Sequence, residues 1–153
     1  MLVKCRFGSI FARTVKDAKL ATGSGTVQIG STSGSVIIKN ANGPIEVTNC
    51  QGDIYVRTKA GDISISKALA SVTAKASFGT ISINEVSSGH VSAQTNIGAI
   101  QIGIQKGVFA SVGAISKYGI VQNDIAKSSK PNSTVEVYAK TKVGNITINQ
   151  ITV

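Results

Sequence analysis

Between Gly25 and Ile65 five glycines stand at equal intervals of nine residues, Gly25, Gly34, Gly43, Gly52 and Gly61. Each opens the same short phrase: Thr-Val-Gln-Ile, Ser-Val-Ile-Ile, Pro-Ile-Glu-Val, Asp-Ile-Tyr-Val and Asp-Ile-Ser-Ile. A repeat of this kind constrains the fold more than any single motif does. In an extended strand alternate side chains share a face, so the pairs Val27/Ile29, Val36/Ile38, Ile45/Val47, Ile54/Val56 and Ile63/Ile65 each point one way. The glycine supplies the corner, and Ser, Thr, Asn and Gly complete the turn chemistry between strands. No window carries competing helical spacing.

Short strands of this sort can run as an antiparallel meander or as a parallel coil. The hairpin signature Asn-Gly occurs once among these corners, at Asn42-Gly43. The 18-residue register instead persists from Gly43 through Gly61 to Gly79, with Gly98 one residue late. The pattern predicts an all-β, single-domain parallel β-solenoid with two short strands per coil of about 18 residues. About seven such coils are expected over residues 1–153.

Along the chain, Val3-Lys-Cys5-Arg-Phe7 alternates like a strand, and Gly8-Ser-Ile10-Phe-Ala12 resembles a repeat unit. Residues 1–20 are therefore read as the first coil or its cap, in preference to the transit peptide that a basic, acid-poor start could also signal. Ala70-Ser-Val-Thr-Ala74 occupies a repeat position without its glycine. An extra residue enters between Gly79 and Gly89, expected as a wider corner at Glu85–Ser88. Ala60, Phe78 and Ile97 each precede a corner glycine and are assigned to the interior. The polar stretch 122–133 is read as a loop excursion. Ile151-Thr-Val153 still reads as strand, so an open edge is expected there unless another segment or copy covers it.

A composition that is 42% apolar can fill a core. Cys5 and Cys50 lack metal or redox spacing and are read as isolated thiols. No apolar run approaches a membrane span of roughly 20 residues. No secretory leader is recognised, so a cell-surface location would need a leader outside this chain.

The phrase Thr-x-x-Gly-[Asp/Thr/Asn]-Ile-x-Ile stands at Thr58–Ile65 and Thr141–Ile148, with a looser copy at Thr22–Ile29. It resembles the adhesin-like family called domain of unknown function 4097, over about residues 20–150. The resemblance implies a β-solenoid and a non-enzymatic scaffold or binding module, and it transfers no catalytic residues. Bactofilins, which are polymerising β-helices, resemble the chain less well at the corners.

With inward positions assigned, outward residues sort into two walls. One wall carries Ile37 with Lys39, Tyr55 with Arg57, Thr73 with Lys75, and Ser92 with Gln94. Lys39, Arg57 and Lys75 are 18 apart and should stack in a column beside Tyr55, a candidate face for a partner. A solvated face whose lysines discourage lateral pairing is the alternative. Adjacent like charges there repel by roughly 1 kcal/mol before screening. The other wall, with Ser64/Ser66, Ser82/Asn84 and Thr147/Asn149, is interrupted by Gln28, Glu46 and Gln101 and is read as plain hydrated surface rather than an ice-binding ladder.

The formal net charge is +9, contributed as +4 by residues 1–20, +1 by residues 21–105 and +4 by residues 106–153. Such charge can attract an anionic polymer or surface, whether acidic polysaccharide, lipid headgroup or nonspecific nucleic acid. With aromatic residues at 5% and no nucleic-acid fold signature, sequence-specific recognition is not expected. The enzymatic alternative is a glycan-processing β-helix with clustered carboxylates. Asp53 and Asp62 fall at opposite corners and are expected to bond their own turns. His90 is the single histidine, with no partner evident in sequence. No catalytic, metal or cofactor-binding residue is assigned. The remaining alternative is a bactofilin-like element that self-assembles as a homo-oligomer through its terminal strands.

Overall fold

A computed structural model of the chain describes residues 2–86, 89–104, 110–123 and 135–150. Among the described residues sixteen strands wind between two sheets, and no helix occurs. The first sheet holds β1 (Leu2–Phe7), β3 (Ala18–Ser24), β5 (Val36–Asn42), β7 (Ile54–Ala60), β9 (Val72–Phe78), β11 (Gly89–Ile97), β13 (Ala110–Tyr118) and β15 (Val135–Val143). The second holds β2 (Ile10–Val15), β4 (Val27–Thr32), β6 (Ile45–Cys50), β8 (Ile63–Ala68), β10 (Ile81–Val86), β12 (Ile100–Ile104), β14 (Val121–Asn123) and β16 (Ile146–Gln150).

Every pairing among the described strands is parallel. Ile45 lies in register with Ile63, and Val36 with Ile54, so residues 18 apart stack as the glycine period requires. The first rung is one residue shorter, Leu2 standing opposite Lys19. The extra residue enters between Val86, which pairs with Ala68, and Val91, which pairs with Val72. The chain is thus a two-sheet β-solenoid, whose core is the space between the sheets. Leu20, Ile29, Ile38, Ile45, Ile63 and Ile65 are among the fully buried side chains. Removing each from water stabilises the coil by about 1.5–3 kcal/mol.

The glycine corner has two physical requirements. At Gly61 the backbone takes φ +148°, which side-chain-bearing residues rarely adopt. A Cβ there would also be driven into the carbonyl oxygen of Gly43 on the rung below. The opposite corner, at Gly52, is demanded by the close approach alone, since a Cβ would strike the Gly34 carbonyl. Inside the first corner runs a column of small polar residues that hook these carbonyls. Asn40 Nδ2 donates to Gly25 O at 2.9 Å and Gly43 O at 3.1 Å, and Thr141 Oγ1 donates to Gly98 O at 3.2 Å. Ser116 Oγ donates to Gly144 O at 2.8 Å. Thr58, in the same column, is buried with its hydroxyl unpartnered.

That column corrects one expectation. Ala60, Phe78 and Ile97 do not fill the corner's interior. Phe78 is 53% and Ile97 49% exposed, and Ala60 is partly exposed. They share the parity of the inward residues, but Thr58, Ala76 and Thr95, two positions earlier and all buried, already occupy the inside of the bend. The arc into the glycine leaves the next such side chain outside.

The last two rungs also depart from the sequence order. Strand order in the first sheet ends β9-β11-β15-β13, and in the second β10-β12-β16-β14. The rung formed last in the chain is inserted between its two predecessors, so β11 and β13 both pair with β15. Six rungs follow the chain in order, and eight strands stand in each sheet. The outermost rung places Asn123 in register with Ile148, a column filled elsewhere by Ala12, Ile29, Val47, Ile65, Ile83 and Ile102. Insertion keeps Ile146 and Ile148 fully buried and leaves the short, more polar β14 at the end. Of the stretch 122–133 read as a loop excursion, Gln122 and Asn123 belong instead to β14, pairing in register with Thr147 and Ile148, and the rest lies outside the described residues, as does the strand-like tail 151–153.

Candidate functional site

The outward face of the first sheet is organised by pairing register. One column runs Lys4, Ala21, Lys39, Arg57, Lys75, Gln94, Lys140, Ile115. Lys39, Arg57 and Lys75 are therefore immediate rung neighbours, all exposed, about 4.8 Å apart along the stack. Tyr55 lies one outward position from Arg57, in line with Ile37 and Thr73, and is half-buried. Shallow grooves run between these side chains, one bounded by Lys39, Arg57 and Lys59, another by Arg57, Lys75, Ser77, Gln94 and Asn96.

The face extends well beyond those four residues. Lys59 is on β7 next to Arg57, Arg6 on β1, and Lys142 and Lys117 on β15 and β13. Adding Lys19 on β3 to these and to Lys4, Lys39, Arg57, Lys75 and Lys140 brings ten of the chain's 16 basic residues onto one sheet, all exposed. The single carboxylate on these strands is Glu136, among the described residues, and its Oε2 lies 2.9 Å from His90 Nδ1 on the neighbouring rung. Strands of the second sheet carry Arg13 and Lys67 against Glu46 and Glu85. Glu46 there accepts a hydrogen bond from Gln28 Nε2 at 3.2 Å. Counting charge along the chain locates the excess near the two ends. Folding also separates it across the solenoid, one sheet strongly cationic and the other balanced.

Several residues weighed for chemistry now have places. Asp53 and Asp62 precede β7 and β8 at opposite corners. The Asp62 carboxylate does not bond its own turn. Its Oδ1 accepts from Thr80 N on the next coil at 2.9 Å, as Asp17 Oδ1 does from Ser35 N at 3.0 Å. A corner acid thus caps the next rung, which suits residues 18 apart stacked in register. His90 does have a partner, Glu136, which sequence reasoning missed because the inserted β15 brings residues 46 apart together. Cys5 and Cys50 are both free thiols. Burial pushes the Cys50 thiol above its ordinary value, and its Sγ lies 2.9 Å from Gly52 O. No group of three or more His, Cys, Asp or Glu side chains able to hold a metal occurs among the described residues.

No family model, curated protein or solved structure matches this chain. The likeness to domain of unknown function 4097 accordingly rests on the Thr-x-x-Gly phrases themselves. No helix among the described residues is long and apolar enough to cross a membrane.

Proposed function

We infer that this chain is a non-enzymatic binding module, a rigid solenoid that offers the cationic face of its first sheet to an anionic polymer or surface. The observation that carries the reading is the segregation of ten exposed cations onto one sheet while the other stays balanced. Over eight rungs that face runs about 34 Å, long enough to engage several charges of an extended partner at once. Close packing of like charge costs stability in the free protein and is relieved when an anion arrives.

The test is salt-dependent retention on heparin. Replacing Lys39, Arg57 and Lys75 together by Ser lowers the salt needed for elution, whereas replacing Arg13 and Lys67 on the second sheet leaves it nearly unchanged. Equal shifts per charge removed from both sets would mean that net charge alone acts, and would end the assignment to this face.

A second reading, the self-assembling element, is favoured by the end strands: β1 pairs only with β3, and β13 only with β15, among the described strands. Continuing the coil register from β13 onto β1 of another copy would set Arg6 over Lys117. Growth by this route is therefore expected to rise with ionic strength, as read by light scattering, while a monomer at all salt concentrations would discard it.

A further inference from the structure

The corner beside the cationic face carries an exposed apolar ridge. Residues preceding the corner glycine pair in register as Phe78, Ile97, Val143 and Tyr118, on four consecutive rungs. Their exposures are 53%, 49%, 44% and 65%. The same column on earlier rungs is Phe7, Ser24, Asn42 and Ala60, so a run of large apolar residues on consecutive rungs occurs in one half of the solenoid, with Phe7, 76% exposed, standing alone on the first rung. The ridge spans about 14 Å. Each of its residues follows the outermost position of the cationic face, which on these rungs is Ser77, Asn96, Lys142 and Lys117. Lys117 Nζ lies 5.8 Å from the Tyr118 ring centroid.

We propose that the ridge Phe78, Ile97, Val143 and Tyr118 seats this protein on an anionic lipid bilayer, entering the headgroup region while the adjoining lysines meet lipid phosphates. The inference rests on the reading of the cationic face as an anion-binding surface and names its partner. Large apolar side chains bordered by cations match the interface, where apolar groups enter the acyl boundary and basic groups remain at the headgroups. A soluble polyanion would satisfy the lysines but has nothing to offer Ile97 and Val143. A second copy is the other apolar partner available, and charge opposes it. Either orientation brings together two chains of net charge +9, and a parallel ridge-to-ridge contact also sets Lys117 and Lys142 of one molecule against the same residues of the other.

The experiment is cosedimentation with vesicles of phosphatidylcholine alone and with 30 mol% phosphatidylglycerol, at about physiological ionic strength, alongside heparin retention and sedimentation velocity. The variant carries Phe78→Ser, Ile97→Ser and Val143→Ser. These are surface positions, and circular dichroism and the thermal midpoint verify its fold. The wild type is expected to bind anionic vesicles at least tenfold more tightly than neutral ones. The variant should lose at least tenfold on anionic vesicles, with its heparin elution unchanged. Equal vesicle binding by variant and wild type overturns the ridge while leaving the cationic face intact. Heparin retention without vesicle binding overturns it in favour of a soluble polyanion. A wild-type dimer that the variant converts to monomer, with no vesicle binding, identifies the second copy as occupant. Absence of binding to vesicles and heparin alike overturns both this inference and the proposed function.

Discussion

Replacing Gly61 by Ala tests the stacking on which both faces depend. Three costs can be read from the corner. At φ +148° an alanine enters a region that is almost exclusive to glycine, for about 1–3 kcal/mol. Its Cβ is aimed at the Gly43 carbonyl oxygen, so the rungs must separate locally. Separation stretches the flanking bonds between these two rungs, Gly43 N to Ala60 O at 2.9 Å and Ile45 N to Asp62 O at 2.8 Å. Weakening both costs about 1–2 kcal/mol more. The unfolded chain loses entropy on gaining a Cβ, which offsets roughly 0.4–1 kcal/mol. The net loss centres on about 3 kcal/mol, or roughly 6–12 °C in the thermal midpoint for a chain of this size. Gly113→Ala is the internal control. Gly113 has no positive φ, and the nearest atom to its added Cβ is Tyr138 Cδ2 at 3.9 Å. That variant should match or slightly exceed wild-type stability. Circular dichroism melts and urea titrations of the two variants give the comparison. A Gly61→Ala midpoint within 2 °C of the Gly113→Ala midpoint would refute the close-packed glycine column.

Other predictions follow from single features. In the hook column, Thr141→Val removes the donor to Gly98 O and should cost about 1 kcal/mol, whereas Thr58→Val removes an unpartnered buried hydroxyl and should be neutral or stabilising in urea titrations. The order of the last rungs is open to disulfide trapping in a background free of Cys5 and Cys50. Gln94→Cys with Lys140→Cys should oxidise readily because the two positions pair directly. Gln94→Cys with Ile115→Cys should not, since β15 intervenes and the gap of about 9.6 Å exceeds disulfide reach. Reversed yields would restore the sequential order. Burial raises the Cys50 pKa, so above the ordinary thiol value of 9.0 the folded chain holds that proton while the unfolded chain releases it. The resulting stability is fully present below that value and lost as pH rises through the folded one. Wild type should therefore lose stability between pH 8.5 and 10 more steeply than Cys50→Ala, and parallel pH slopes would contradict the burial argument.

How much of this architecture a reader could extract from residues alone varies from element to element. Val36, Ile38, Ile45 and Val47 declare their inward parity through simple alternation, and the glycine spacing declares the rung. The corner column fails the same logic, because Phe78 and Ile97 obey inward parity up to a bend whose interior Ala76 and Thr95 have already filled. Lys39, Arg57 and Lys75 could be aligned by counting 18, whereas Lys140 could not. Its place beside Gln94 follows from an insertion that no local spacing announces.

The amino-acid sequence on its own determined a parallel coil with a Val and Ile interior, since a strand's alternation and a glycine that only a close rung would require are local properties. The tertiary structure decided which rung sits beside which. Val91-x-Ala93-x-Thr95, Val137-x-Ala139-x-Thr141 and Val112-x-Ala114-x-Ser116 share nearly the same alternating spacing in the sequence, so either later rung could follow β11. The better-filled interior of Ile146 and Ile148 is kept when their rung lies inside and the β14 rung outside. That nonlocal preference also completes the cationic face, joins His90 to Glu136 and lines up Ile97, Val143 and Tyr118 on one edge.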